Sequence, residues 1–294
     1  MHETATTALI DGGAGLGQPV SERAMQLAIN KAQKVGAGFV SVRNSNHYGI
    51  AGYYAMMALA HDCIGLSVTT ASATVTPTHG QLPLYGTNPI AVAAPSGQEP
   101  PFVLDMATSV VARGKVEIAN RLEKPLPVGW AADDEGRPVT DASRLADGPS
   151  QAGGWGLLPL GGAGEMLGGH KGYGLAMVVE ILGALLSGAA YADLVYPHTP
   201  EGKPLPSLIG HFFGAWHVES LRPVDQFKAD MDDLQHRLKT APRAEGQERI
   251  YVQGEKEHEE AIRRAESGIP LNGKVAGDLA ALGEELGVPF VLPS

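Results

Sequence analysis

The sequence is poor in cysteine and in long uncharged apolar runs, and each shortage excludes a class of protein. Among its 294 residues Cys63 is the one cysteine, so intramolecular disulfides and thiolate metal clusters are excluded. The first residues lack the basic and apolar regions of a signal peptide, so we expect a cytoplasmic protein. The longest apolar run, residues 172–190, carries Glu180 near its middle, which favours a buried helix over a membrane span.

Positive charge and metal-binding patterns are also scarce. The net charge is −10 and the pI is about 5.4, which argues against nucleic acid or an anionic membrane as a partner. None of the 10 histidines is paired at i, i+4 around a glutamate, so we expect no metal site. The serines lack a Gly-x-Ser-x-Gly context, which argues against a serine hydrolase.

Glycine, in contrast, is abundant, and the apolar pattern changes repeatedly between strand and helix periods. The 38 glycines predict many tight turns and close backbone approaches. The patterns predict an α/β or mixed α+β fold, in one large domain or two packed together. Strands are predicted at residues 7–10, 38–42, 64–69, 89–94, 102–104, 208–218 and 249–252. Helices are predicted after an N-cap at Ser21 and at residues 50–62, 109–122, 172–186, 224–239, 257–265 and 275–286, with a hairpin at 129–141 and a loop at 147–169.

Residues 13–17 (Gly-Ala-Gly-Leu-Gly) lie between a predicted strand and a predicted helix, where a dinucleotide-binding loop would lie. The spacing is G-x-G-x-G rather than G-x-G-x-x-G. The next strand ends in Arg43 and Asn44, which supply no acidic group for a ribose. The pattern therefore favours a structural turn.

A histidine follows the predicted strand at residues 38–42. The polar segment 44–49 reads Asn-Ser-Asn-His-Tyr-Gly, and a new helical pattern begins after it. A histidine at a strand exit is well placed to line a cleft, and the ordinary pKa of histidine is the nearest to neutral. His47 is thus a candidate acid/base, although a structural role fits the same pattern.

Three further segments suit a ligand, each with a plain structural alternative. Residues 168–174 (Gly-Gly-His-Lys-Gly-Tyr-Gly) open a helix, so free N–H groups and Lys171 suit a phosphate, but a glycine-rich turn is equally consistent. Asp105 ends a strand and suits either ribose hydroxyls or the cap of a helix at residues 108–111. Residues 253–257 (Gln-Gly-Glu-Lys-Glu) suit a ligand loop or an acidic first helical turn.

Taken together, these segments resemble the malate/L-lactate dehydrogenase family, whose NAD(P)-dependent oxidoreductases lack a Rossmann fold. The family also includes ureidoglycolate and sulfolactate dehydrogenases, diketogulonate reductases and cyclic-imine reductases. The matching segments occur in the family's order across nearly the whole chain, at residues 44–49, 85–91, 102–109, 169–175 and 250–256.

The resemblance implies a mixed α/β fold of the L-sulfolactate/malate dehydrogenase type, a homodimer, and NAD or NADP as cofactor. It implies one catalytic unit over residues 1–294, with the cofactor bound within 64–218 and packing and dimerisation by 1–63 and 219–294. His47 matches the proton donor and acceptor, and we expect its neighbours Asn46 and Tyr48 to contact the substrate. The expected cofactor contacts are Thr70, Ser72, Asp105, Met106, Ala107, Lys171, Gln253, Gly254 and Glu255. Ala71 stands where the family often has Asn or Ser.

The implied reaction is hydride transfer between NAD(P)H and a small 2-oxo acid such as the oxo forms of malate or lactate. Family members usually carry an earlier helical segment with a Ser-His-Gly-x-x-Arg motif, which this sequence does not contain. Either the chain is a shortened form or another group replaces that arginine. A substrate carboxylate needs a cation, and Arg43 and Arg113 are candidates. Two rival functions are reduction of a cyclic imine and cofactor binding without turnover.

Overall fold

The computed structural model of the protein describes residues 2–146, 154–288 and 290. It forms two compact units, Met1–Gly254 and Glu255–Ser294. The strands found in the described residues are β1 (His2–Glu3), β2 (Thr7–Asp11), β3 (Ala37–Ser45), β4 (Cys63–Thr69), β5 (Ile90–Ala94), β6 (Phe102–Met106), β7 (Ala131–Ala132), β8 (Gly156–Leu157) and β9 (Ile209–His217). The α-helices are α1 (Gly17–Val35), α2 (Ala51–Met57), α3 (Arg113–Arg121), α4 (Ser143–Ala146), α5 (Gly169–Val179), α6 (Val224–Thr240), α7 (Glu255–Ser267) and α8 (Gly273–Leu286).

The first unit is built on a mixed sheet of seven strands in the order β1-β2-β3-β9-β4-β5-β6. Only β2 and β3 pair in parallel, and α1 connects them. The other pairs are antiparallel. β9, which comes last in the chain, lies between β3 and β4, so the centre of the sheet is completed by the segment furthest away in sequence. These findings confirm the predicted mixed α/β class.

Both faces of this sheet are covered by apolar side chains, because successive residues of a strand point to opposite sides. Phe213 packs with Met25, Ile29 and Tyr54 in the cluster formed with α1 and α2. Its neighbour Phe212 belongs to a second cluster, which includes Val68 and Val179. Helix α1 ends at Val35 and is capped by Gly36 in the left-handed conformation (φ +92°), whose N–H donates to Ala32 O at 2.7 Å.

A smaller sheet, β7 with β8, accompanies a third cluster of buried apolar residues that includes Val75, Trp155 and Leu157. The predicted hairpin at residues 129–141 contains a tight turn in which Asp133 N donates to Arg137 O at 2.9 Å. Strand β8 lies within the predicted loop at 147–169, which falls partly outside the described residues. β8 has only two residues, and a segment that short shows no alternation of apolar and polar residues from which a strand could be predicted.

Two predicted helix starts and one predicted strand are wrong. Helix α1 begins at Gly17, so Ser21 is buried inside the helix rather than capping it. The predicted helix at 109–122 begins only at Arg113. The predicted strand at 249–252 is absent, because a short apolar run of this length does not distinguish a strand from an extended segment.

The long apolar helix predicted at 172–186 is present but changes its geometry. Helix α5 begins at Gly169 and ends at Val179, and a π-helical segment continues from Glu180 to Leu185. Glu180 is buried, but the prediction of a buried helix holds for one face only, because apolar side chains such as Ile181 and Leu186 on the same stretch are exposed. No helix in the described ranges is both long enough and apolar enough to cross a membrane.

The cysteine lies at the start of a central strand. Cys63 is the first residue of β4, its side chain is fully buried, and its Sγ donates to His61 O at 3.3 Å. Burial raises the pKa of the Cys63 thiol to about 11. The thiolate form that reacts with electrophiles is therefore disfavoured in the folded chain.

Candidate active site

One edge of the seven-stranded sheet gathers several predicted site segments. The last residue of β3 pairs with the first residue of β9, and the last residue of β4 pairs with the third residue of β9. The first residue of β5 pairs with the last residue of β6 and with the penultimate residue of β4. The carboxyl ends of β3, β4 and β6 thus lie at the same edge. The segments that leave them carry His47, Thr70 and Ser72, and Ala107.

His47 lies on the segment between β3 and α2, and its side chain is exposed. Gly49 N donates to His47 Nδ1 at 3.1 Å. An imidazole nitrogen accepts a hydrogen bond only when it carries no proton, so this contact selects the neutral tautomer with its proton on Nε2. Nε2 has no hydrogen-bond partner among the described residues, and it is the ring atom available to a ligand.

The glycine-rich loop before α1 holds the backbone next to His47. Asn46 Nδ2 donates to Ala14 O and to Gly15 O, both at 2.9 Å, and Asn46 Oδ1 accepts from Ser207 Oγ. A Cβ at Gly17 would lie 2.2 Å from Asn46 O, so only glycine permits this approach. Residues 13–17 thus form a turn that packs against the segment carrying His47, as the sequence predicted. The Asn46 amide is engaged at both ends by the protein, which favours a positioning role over the predicted substrate contact.

Tyr48 points into the core rather than toward the sheet edge. Its ring is buried and stacks on Tyr54 at 4.8 Å and on His211 at 4.7 Å between centroids. Its hydroxyl is 3.1 Å from Ser67 Oγ, and its backbone carbonyl accepts from the Tyr54 hydroxyl. Burial raises the pKa of Tyr48 above its usual value. This placement does not support a substrate contact by the side chain; it makes Tyr48 an anchor for the segment that carries His47.

Asp105 joins β6 to the helix that follows His47. Gly52 N donates to Asp105 Oδ2 at 2.7 Å, at the first turn of α2. A carboxylate at a helix N-terminus satisfies a free N–H group and interacts favourably with the helix dipole. The sequence left two roles open for Asp105, ribose binding or the cap of a helix at residues 108–111, and the structure has no helix at those residues. The actual partner lies 53 residues away in the sequence, which no local pattern could indicate.

The segment after β4 is fixed by the start of β9. Thr70 N donates to Gly210 O at 3.1 Å, and Gly210 N lies 3.3 Å from Thr70 Oγ1. The Thr70 side chain is buried, whereas Ser72 is half-buried. Of the two predicted cofactor hydroxyls, Ser72 is therefore the more accessible.

A buried polar pair that the sequence did not reveal supports the same segment. Asn88 Oδ1 accepts from Ala71 N at 3.2 Å, and Asn88 Nδ2 donates to Glu180 Oε1 at 2.8 Å. Ala192 N donates to Glu180 Oε2 at 3.1 Å. Desolvation raises the pKa of the Glu180 carboxyl, although these hydrogen bonds act in the opposite direction. Two features of the sequence could have indicated this pair: Glu180 is an acid within an apolar run, and Asn88 lies within one of the segments that resemble the family.

Two of the glycines around Lys171 face protein rather than open space. A Cβ at Gly169 would lie 2.0 Å from Gly162 O, and one at Gly172 would lie 2.2 Å from Leu160 O. These two glycines thus allow the loop at 160–164 to pack against the first turn of α5. Gly174 has nothing within 4 Å of its Cβ position. The structure therefore gives two of the predicted phosphate-loop glycines a packing role.

Lys171 itself is exposed in the first turn of α5. Leu160, against which α5 packs, donates its N–H to Thr108 O at 2.9 Å. Thr108 follows Ala107 directly, so this contact ties the start of α5 to the segment that leaves β6. Met106 and Ala107 are half-buried in that segment.

The last predicted cofactor loop begins beside β6. Val103 N donates to Gln253 O at 3.1 Å. Gly254 has φ +91°, and its Cβ position lies 2.9 Å from Val103 Cβ, so both conformation and space require glycine. Glu255 is the first residue of α7 in the second unit, and its cofactor contact stays a prediction.

Within residues 2–146, 154–288 and 290, no three His, Cys, Asp or Glu side chains lie where they could together hold a metal ion. The sheet edge instead presents an exposed imidazole, an exposed lysine at a helix start and a half-buried hydroxyl. An imidazole exchanges protons near neutral pH, and a cation at a helix start suits an anion.

Comparisons with known proteins agree with this arrangement. Residues 1–280 match the family model described as malate/L-lactate dehydrogenase. The chain is 43% identical over 288 residues to a malate dehydrogenase of Pyrococcus abyssi, covering 98% of this chain and 76% of that protein. It is 37% identical over 288 residues to an L-sulfolactate dehydrogenase of Methanocaldococcus jannaschii, covering 98% and 78%.

A solved structure shows the same fold. The crystal structure of malate dehydrogenase from Entamoeba histolytica superposes with a TM-score of 0.93 at 37% identity, covering 99% of this chain and 80% of that one. Sequence and structure comparisons thus agree over nearly the whole chain. The chain therefore belongs to the malate/L-lactate dehydrogenase family of oxidoreductases.

Proposed function

We propose that this protein is an NAD(P)-dependent dehydrogenase that interconverts a small 2-hydroxy acid and its 2-oxo acid, of the malate, sulfolactate or lactate type. The observation that carries the proposal is the placement of His47. Its ring lies exposed at the sheet edge, its Nδ1 accepts from Gly49 N, and its Nε2 is available to a substrate oxygen.

His47 moves the proton in this reaction. In reduction, the His47 imidazolium donates its Nε2 proton to the substrate carbonyl oxygen, which leaves a neutral ring with its proton on Nδ1. In oxidation, that neutral ring accepts the hydroxyl proton at Nε2. The bound nicotinamide supplies or receives the hydride. General acid–base assistance of this kind contributes about 10²–10⁴ in rate. Protonation of Nδ1 ends its contact with Gly49 N, so the ring changes its hydrogen bond when it changes charge.

The residues present fit a nicotinamide dinucleotide. Lys171 at the start of α5 offers a cation and helix N–H groups to phosphates. Ser72 offers a hydroxyl to a ribose or amide, and the segment at Asp105, Met106 and Ala107 lies at the same sheet edge. We propose Thr70, Gln253 and Gly254 as parts of the same binding surface, mainly through their backbone. Both NAD and NADP are candidates.

The substrate carboxylate needs a cation, and we assign it to Arg43 rather than Arg113. Arg43 lies on β3, the strand that leads to His47, and its side chain is 41% exposed with Nε 3.1 Å from Asp11 Oδ2. Arg113 lies at the start of α3 and pairs with Glu117. An exposed guanidinium can hold a carboxylate through two parallel hydrogen bonds.

The first test is turnover of the purified chain. We expect oxidation of NADH or NADPH with at least one of oxaloacetate, pyruvate and sulfopyruvate, and a loss of about 10²–10⁴ in kcat in His47→Ala with unchanged cofactor binding. His236→Ala, an exposed histidine on α6, serves as the matched control and should retain wild-type kcat.

The same panel separates the rival functions. Turnover of cyclic imino acids but not of 2-oxo acids would assign the chain to the imine reductases of the family. Cofactor-dependent thermal stabilisation without any turnover would indicate a binding protein. Full turnover in His47→Ala would contradict the proposed role of the histidine.

We also propose that the protein acts as a homodimer in the cytoplasm. An exposed apolar surface on α5 and the π-helical segment supports the dimer. It comprises Leu175, Met177, Val178, Ile181, Leu185 and Leu186, each between 38% and 61% exposed. An apolar helix face of this extent is typical of a subunit interface.

A further inference from the structure

A second histidine, which the proposed reaction does not use, lies beneath the segment that carries His47. His211 is the third residue of β9, and its side chain is fully buried. Its Nδ1 is 2.7 Å from Thr69 Oγ1, and its Nε2 is 2.9 Å from Ser45 Oγ. Its ring is parallel to that of Tyr48, at 6° and 4.7 Å between centroids. His211 therefore contacts side chains on both sides of the Asn46–His47 pair.

The neighbouring hydroxyls determine the tautomer of His211. Thr69 Oγ1 is 3.0 Å from Thr70 O and 3.3 Å from Gly210 O, and a carbonyl can only accept. The Thr69 hydroxyl therefore donates to a carbonyl and accepts from His211 Nδ1–H. Nε2 then carries a lone pair and accepts from the Ser45 hydroxyl. Ser45, His211 and Thr69 form a directed chain of hydrogen bonds in which donation runs from the end of β3 through the ring to the end of β4.

The environment keeps this ring uncharged. Burial, together with the nearby His47, lowers the pKa of His211 to about 3, although a backbone contact with Asn46 acts in the opposite direction. Around the ring, Tyr48 and Phe213 pack as neutral groups, and the flanking hydroxyls are also neutral. A neutral His211 does not repel the positive charge that His47 carries when it is protonated.

From these contacts we infer that His211 is a positioning residue, which acts through the Ser45 hydroxyl to hold the end of β3 in the geometry that His47 needs. This inference rests on the proposed function of His47. The register of β3 and β9 shifts between Val42 and Ser45, so regular pairing does not by itself fix the strand end. The Ser45–His211 bond supplies a fixed point beyond that irregularity.

Two amide variants separate the two bonds of the ring. The amide of His211→Gln reaches the position of Nε2 and can bond Ser45, whereas that of His211→Asn reaches only the position of Nδ1 and can bond Thr69. Both variants lose the ring stack on Tyr48, and their side chains differ by one methylene group. Ser45→Ala removes the hydrogen bond between Ser45 and His211 by deleting the hydroxyl, and it leaves the His211 ring in place. Ser96→Ala, which loses a hydroxyl bonded to Gln235 at the opposite end of the sheet, is the control.

We expect His211→Asn and Ser45→Ala to lower kcat about tenfold or more at unchanged cofactor affinity, because small displacements of a reacting group are costly in rate. His211→Gln should retain most of the wild-type kcat, and Ser96→Ala all of it. Wild-type kcat in both His211→Asn and Ser45→Ala would overturn the inference. So would an equal loss of kcat and of cofactor binding in all three site variants.

A second readout does not depend on turnover. The Gly49 amide reports the N–H···Nδ1 contact of His47, and its NMR resonance should move in His211→Asn and Ser45→Ala but stay in place in His211→Gln. An unmoved resonance in the first two variants would overturn the positioning role. If the wild-type chain shows no turnover while the resonance moves as expected, the proposed function fails and the positioning of His47 stands.

Discussion

Among single residues, Glu180 shows how burial and hydrogen bonding oppose each other near the site. Its two carboxylate oxygens accept from Asn88 and from the Ala192 backbone, and both donors are uncharged. Desolvation outweighs these bonds and raises the pKa of the carboxyl above 4.5. A buried acid without a cation partner makes the folded state bind its proton more tightly than the unfolded chain does.

The consequence is a stability that falls as the pH rises. The contribution of Glu180 is fully present below pH 4.5, the unfolded value, and is lost as the pH increases through the raised folded-state pKa. We therefore expect the melting temperature of Glu180→Gln, relative to the wild type, to increase across that window. Thermal unfolding at half-unit pH intervals measures this difference. A constant difference at all pH values would show that Glu180 does not titrate differently on folding.

At this scale the sequence reveals the reactive residue but not its supports. His47 was identifiable because a strand exit, small polar neighbours and a glycine surround it. The groups that hold the segments on either side of it are a hydroxyl on β3, a histidine on β9 and a carboxylate on β6, and they are brought into place by the sheet register. His211 gave a weak signal, since a lone histidine beside two phenylalanines in an apolar run is typical of a buried ring.

Among the elements, helix α5 depends on glycines that face the loop at 160–164. Gly172→Ala would place a methyl group 2.2 Å from Leu160 O, whereas Gly174→Ala adds one in open space. We expect the first substitution to destabilise the protein by about 1–3 kcal/mol and to weaken cofactor binding, because the first turn of α5 must shift.

The second substitution is the matched control on the same helix. Gly174→Ala should stabilise the chain by about 0.4–1 kcal/mol, since alanine restricts the unfolded chain at a helical position. Chemical denaturation and NADH titration measure both effects. Equal behaviour of the two variants would contradict the packing role of Gly172.

Long elements with clear periodicity were predictable, whereas short ones were not. The strand at 208–218 and the helix at 224–239 agree with β9 and α6 to within one residue at each end. The start of α1 was misplaced because Gly17 begins the helix for a tertiary reason, its close approach to Asn46 O, and not through a capping side chain. The change from α5 to a π-helical segment at Glu180 has no periodic signature in the sequence.

For the whole molecule, the order of the strands determines which segments meet. The chain places β9 between β3 and β4, so residues more than 140 positions apart become neighbours beside His47. Sequence patterns indicated the class of fold and, through resemblance, the order of its motifs. They could not indicate this insertion, because strand order depends on contacts between distant segments.

The exposed apolar surface on α5 and the π-helical segment gives a prediction at the same scale. Ile181→Asp places a charge in its middle and should convert the proposed dimer to monomer in light scattering. Ile118→Asp on α3, a residue of similar exposure, should leave the mass unchanged. A wild-type chain that is monomeric at micromolar concentration would contradict the proposed assembly.

The single buried thiol at the start of β4 allows the rate at which the folded protein opens to be measured. Cys63 is shielded, and burial holds its pKa near 11, so an alkylating reagent reaches a reactive thiolate only when the centre of the sheet opens. Because Cys63 is the one cysteine of the chain, the fraction of protein whose mass has shifted after a timed pulse of reagent reports how often the start of β4 has become accessible. The rate of spontaneous unfolding, with and without cofactor, can thus be measured on the unmodified sequence.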